Sequence, residues 1–293
     1  MSVYKRDYRA YSGRVTSWQT RFLVLVRYGL SEVWSSKITI GLFIFSMLPI
    51  VVFLVQIYLV NNPVARQIIL KGNSRLLDVD AAFFLHVIES QCWLALVLTS
   101  WIAPRLITFD LADNALPILL SHPVSRFGYV MGKFVALFAS LSPVTWIPCL
   151  ALYVYQCYSA PPGWASANLR IAAGMLAGIV IWIALLSILG LALSSWVKWR
   201  VLANLIIFAA VLVPAGVGGI VSAVLRTKWG FLLNLPVMMT QLWQRLIGAP
   251  ENMRAGHDWS LPNSAIAVVL FATCLVCWAM LNARIRAREV VRG

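Results

Sequence analysis

The chain has 293 residues, 61% of them hydrophobic and only 12% charged, with a formal net charge of +14. Soluble domains carry about a quarter charged residues, so this balance excludes an ordinary soluble fold and points to the bilayer. The positive charge alone would suit a nucleic-acid binder; its distribution along the chain, given below, excludes that reading.

Residues 1–37 form a polar, basic tail without a secretory cleavage pattern. Within it Phe22, Leu25, Val26, Leu30, Val33 and Trp34 recur at helical spacing on one face, with Arg27, Ser31 and Ser35 on another. Such a helix is expected to lie in the headgroup plane before the chain turns into the membrane near Lys37. One continuous helix over 18–60 would run ~65 Å, twice the hydrocarbon thickness. Six apolar runs follow, at about 38–60, 83–107, 129–156, 169–196, 201–225 and 264–282. Each is long enough to cross a ~30 Å core. The predicted fold is an all-α polytopic membrane protein with six transmembrane helices, forming a single transmembrane domain over 1–293. Pro49, Pro143, Pro148 and Pro214 fall inside the runs. Membrane helices tolerate Pro where neighbouring helices re-satisfy the freed carbonyls.

With the N-terminus in the cytoplasm, the inner segments hold 16 of the 24 Lys and Arg residues. This is the positive-inside pattern, and six spans place both termini in the cytoplasm beneath an inner membrane. Basic tails at that surface attract anionic lipid, so the charge needs no nucleic-acid partner.

Ionisable residues within the spans are scarce. Glu89, near the outer end of span 2, and His86 one turn earlier are the clearest, and they mark the candidate transport path. Gly174 and Gly178 in span 4 make a GxxxG that lets another helix approach closely. Cys274 and Cys277 sit mid-span without charged or His neighbours and read as apolar packing. The stretch Gly128–Phe134 resembles a phosphate loop only in outline. It has three residues between its glycines instead of four, and Phe134 where a metal-binding hydroxyl belongs. His86, His122 and His257 are far apart. No catalytic or metal site, and no bound cofactor, is expected in this chain.

The loop 108–128 is the exception to this plainness. Residues 110–134 read DLADNALPILLSHPVSRFGYVMGKF. Asp110 and Asp113 suit the N-terminal side of a short helix through its dipole. Leu116, Leu119 and Leu120 fall on one face, and Ser121-His122-Pro123 ends the element. Such a helix either docks a soluble partner or anchors in lipid, and the residues alone leave both open.

This stretch resembles the cytoplasmic loop of type-2 ATP-binding-cassette (ABC) permeases, the six-span exporter subunits. The family pattern is an acidic residue, Gly-Thr-Leu, a Leu-rich run, a small residue with Pro-Val-Ser-Arg, a hydrophobic pair and Gly-Lys. It is matched at Asp110, Leu116, Leu119, Leu120, Ser121, Pro123, Val124, Ser125, Arg126, Val130, Gly132 and Lys133. It departs at Asn114-Ala115 and at Pro117. LGLALSSWVKWRVLANL resembles the family's short loop between spans 4 and 5, and LLNLPVMMTQLWQRLIG its amphipathic, partly re-entrant segment before span 6.

The resemblance implies a coupling helix seated in a groove of a separate cytoplasmic ATPase, which would bind ATP and Mg. Leu116, Leu119 and Leu120 would pack there, Pro123 would end the helix, and Asp110, Arg126 and Lys133 would pair charge with the partner. Lys198 and Arg200 would make a second, smaller contact. It also implies a second permease copy, identical or related, and an outer segment, 226–263, that lids the exit or meets an extracytoplasmic partner. Trp229, Trp243 and Trp259 with Arg226, Lys228 and Arg245 suit an interfacial belt there. The expected function is an exporter permease. The alternative is a subunit of the same fold that supports assembly or release of an extracytoplasmic protein without bulk transport.

Overall fold

A computed structural model describes residues 21–64, 78–112, 126–250 and 260–284. Among them the chain is helical without strands, and six helical spans are long and apolar enough to cross a membrane. They run Lys37–Asn61, Ala81–Thr108, Arg126–Ser159, Leu169–Ser194, Arg200–Leu225 and Asn263–Arg284. The protein is an all-α polytopic membrane protein.

The N-terminal helix α1 (Arg21–Ser35) is separate from span 1. The break falls at Ser36, whose extended backbone and side-chain acceptor for the Thr39 N–H start the next helix. The apolar face of α1 packs on the bundle: Val26 and Val33 are buried, and Trp34 stacks on Phe43 with ring centroids 4.6 Å apart. Arg27, Ser31 and Ser35 remain exposed, as the helical spacing predicts.

Two expected single spans are each two helices. Span 1 comprises α2 (Lys37–Ser46) and α3 (Leu48–Asn61), with Pro49 just inside the second. Span 2 is the long helix α4 (Ala81–Ala112), 32 residues with Pro104 inside it. Span 3 comprises α5 (Arg126–Leu141) and α6 (Trp146–Ser159). Pro143 lacks the N–H that would continue α5. The Ser142 and Thr145 hydroxyls donate to Phe138 O at 3.0 Å and Leu141 O at 2.9 Å, carbonyls that also accept the backbone N–H groups of the same two residues. A short helix α7 (Trp164–Ala167) leads to span 4, α8 (Leu169–Ser194), and the next span is α9 (Arg200–Leu225). After a 3-10 turn at Lys228–Leu233 come α10 (Leu235–Ile247) and span 6, α11 (Asn263–Arg284).

The core sits between α4 and α8, which touch nearly every other helix. Spans 2, 3 and 4 bury 56%, 50% and 61% of their most apolar stretch, against 17%, 22% and 17% for spans 1, 5 and 6. The first three are therefore the interior of the bundle, and the others present apolar surface outward. Lipid tails are as apolar as leucine, so packing and internal hydrogen bonds hold such helices together. The Gly174–Gly178 pair is the clearest packing device. A Cβ at Gly174 would lie 2.6 Å from the Leu246 carbonyl, and one at Gly178 would lie 2.5 Å from the Trp243 ring. The close approach predicted for span 4 is made by α10 of the same chain. Arg170 completes the contact by donating to Leu246 O at 3.2 Å and Arg245 O at 2.6 Å, the free carbonyl end of α10.

Candidate functional site

The flanks of the 108–128 loop meet in a buried ion pair. Lys133 Nζ on α5 lies 2.8 Å from Asp110 Oδ2 at the end of α4. The Tyr129 hydroxyl, one turn before Lys133, donates to the same oxygen at 2.7 Å, and the ammonium lies 5.6 Å from the Tyr129 ring centroid. The Lys133 side chain is 2% exposed, so its charge is spent inside the protein. Gly132 beside it lets α1 close in: a Cβ there would sit 2.9 Å from Leu25 Cβ. Glu32 of α1 faces this pair and the Arg105 and Arg200 guanidiniums. Burial pushes its carboxyl above the ordinary range, and Lys133 partly offsets the effect.

The same end of the bundle gathers further cations. Arg105 donates to the Thr39 hydroxyl at 3.5 Å, joining span 2 to span 1. The Arg200 guanidinium lies 4.6 Å from the Trp101 ring centroid. The 195–199 turn adjoins the loop base, since Thr108 donates to Ser194 O at 3.5 Å and Arg284 to Ser195 O at 3.2 Å. Arg126 and Lys198 are exposed and Arg200 is half-buried. Leu116, Leu119, Leu120 and Pro123 lie outside the described residues.

One expectation changes here. Asp110 and Lys133 were implied as charges for an ATPase, and the structure pairs them with one another. The reason is burial: an ammonium this enclosed is costly unless a carboxylate answers it. Tyr129 and Glu32 were missed by sequence reasoning. Tyr129 had a signal, standing four residues before Lys133 on the same helical face. Glu32 had none, because only the fold brings α1 to that place.

At the opposite end, Glu89 and His86 do come together. His86 Nδ1 is 3.5 Å from Glu89 Oε2, and the Thr240 hydroxyl of α10 donates to Glu89 Oε1 at 3.2 Å. His86 is exposed, while Glu89 faces a cleft of ≈210 Å³ shared with Trp93, Trp182, Pro236, Thr240 and Trp243. The Trp182 indole N–H donates to Cys92 O at 3.0 Å, fixing that wall. The five cysteines are free, and among the described residues no group of three His, Cys, Asp or Glu could hold a metal ion.

No protein-family model and no curated protein matches the chain.

Proposed function

We propose that the chain is the membrane-spanning permease subunit of an ABC transporter of the exporter type. A separate cytoplasmic ATPase docks on the 108–128 loop and supplies the ATP and Mg chemistry, and a second permease copy completes the assembly. The outward apolar faces of spans 1, 5 and 6 offer surface for lipid and for that copy.

The observation that carries this reading is the Asp110–Lys133 ion pair at the base of the loop. It ties the end of span 2 to the start of span 3, and the adjoining α1 packs on both. A load on the loop therefore reaches both spans instead of bending one flank. The exposed Arg126 and Lys198 beside it favour an acidic partner surface and set its register. For nucleotide to drive the spans, the ATPase must bind two permease states with different affinity. A bias of roughly 1–3 kcal/mol is typical of such coupling.

The test is a detergent pull-down from native membrane comparing the wild type with a Leu116→Asp/Leu119→Asp variant. A soluble ATPase should co-purify with the wild type and be lost from the variant. If the wild type brings down no ATPase, the permease reading falls.

A further inference from the structure

The cleft between span 2, span 4 and α10 combines indole rings with a carboxylate. Trp93, Trp182 and Trp243 line it, and among the described residues its only acid is Glu89. Trp182 and Trp243 meet edge to face, with ring planes 84° apart and centroids 6.0 Å apart, so they form a corner and not a stack. A carboxylate in a membrane span is expensive and usually marks a site. Thr240 gives Glu89 one hydrogen bond at 3.2 Å. His86 Nδ1 lies 3.5 Å from the other carboxylate oxygen, on the exposed side of the cleft. A glutamine would accept the Thr240 bond equally well, so on the cleft side that bond does not call for a negative charge.

Each ligand class makes a different demand on such a cleft. An anion is repelled by Glu89. A metal ion wants several oxygen, nitrogen or sulfur ligands, and no such set exists among the described residues. An acyl chain gains nothing from a carboxylate. An organic ammonium uses both parts: its charge answers Glu89, and its apolar substituents lie against indole rings, which attract cations. At ≈210 Å³ the cleft is smaller than the ~300 Å³ at which drug-sized pockets begin, so the ligand is of headgroup size.

We propose that this cleft binds the ammonium group of a small organic cation, carried either by a choline or ethanolamine lipid headgroup or by a free amine. The assignment rests on the cleft alone and stands or falls separately from the permease reading.

The test uses the full chain in phosphatidylglycerol nanodiscs, titrated calorimetrically with choline at constant ionic strength. Dimethylbutanol, the neutral carbon isostere of choline, serves as the control. Choline should bind saturably and the isostere should not. Glu89→Gln, which keeps the Thr240 bond, and Trp93→Leu should each weaken choline by roughly tenfold. Trp93 is 47% exposed, so its replacement spares the fold and gives a second reading if Glu89→Gln misfolds. Absent saturation, equal binding of the isostere, or undiminished binding by the folded variants would each overturn the proposal. Repeating the titration with phosphatidylcholine or phosphatidylethanolamine in the discs separates the sources. A weaker apparent choline affinity identifies a lipid headgroup, and an unchanged one a free amine; both uphold the ammonium site.

Discussion

Lys133 illustrates how a residue's chemistry is decided by what surrounds it. On the sequence it is a cation at the mouth of an apolar run, equally suited to a partner or a lipid phosphate. In the fold it is 2% exposed, 2.8 Å from Asp110, with Tyr129 on the same carboxylate. Removing one member of a buried pair strands the other, at a cost of about 3–5 kcal/mol. Lys133→Ala should therefore lower the thermal midpoint of the detergent-purified protein substantially. Asp110→Leu/Lys133→Met should recover most of the loss, because no charge is left stranded. A double variant as unstable as the single one would show that the pair does not hold the loop base. The pairing itself was not legible, since Asp110 and Lys133 stand on opposite flanks of a loop. Pairing across a loop is fixed by tertiary contact, which no local spacing encodes.

At the scale of elements, the span boundaries were legible to within about three residues, because hydrocarbon thickness sets the length of each apolar run. The interruptions were not. Four prolines were read as tolerated alike, yet Pro214 stays inside its helix while Pro49 and Pro143 stand where spans 1 and 3 divide. At Pro143 the ladder cannot continue, and the chain passes through a hydrogen-bonded turn, Val144 and Thr145 N–H both bonding Leu141 O, before α6 begins. The contact of α8 with α10 yields a graded prediction. Gly174→Ala would press its Cβ onto Leu246 backbone, which cannot rotate away, and should cost about 1–3 kcal/mol. Gly216→Ala, where nothing lies within 4 Å, should be neutral or stabilising. Thermal melting of the two variants checks the order, and equal midpoints would count against the close packing.

For the whole molecule, the bundle has two distinct ends. One carries α1, the loop base, the 195–199 turn and Arg284; the other carries α7, the 3-10 turn and α10. The positive-inside bias is our ground for proposing that the first end faces the cytoplasm. Ser35→Cys and Ser166→Cys, both at exposed positions on opposite ends, report this directly in a background with the native cysteines replaced. In sealed right-side-out vesicles an impermeant maleimide should label Ser166→Cys at once, and Ser35→Cys only after the membrane is opened. The reverse pattern would turn the loop away from any cytoplasmic ATPase and remove the basis for docking there. The candidate residues at both ends were partly legible, since charge inside an apolar chain draws attention by itself. The indole corner around Glu89 was not, because its walls come from three separate helices.

The divided spans have a mechanical consequence. Spans 1 and 3 each carry a joint within the membrane, whereas spans 2 and 4 run through without one. The far halves of the jointed spans are fastened to each other, through the Asn61 amide donating to Gln156 at 2.9 Å. Under the proposed coupling, a torque at the loop base would meet two divided spans and two continuous ones, the first of these with Pro104 inside it. The continuous pair carries Glu89 and Trp182, so the cleft lies on the two undivided spans, at the end far from the loop base.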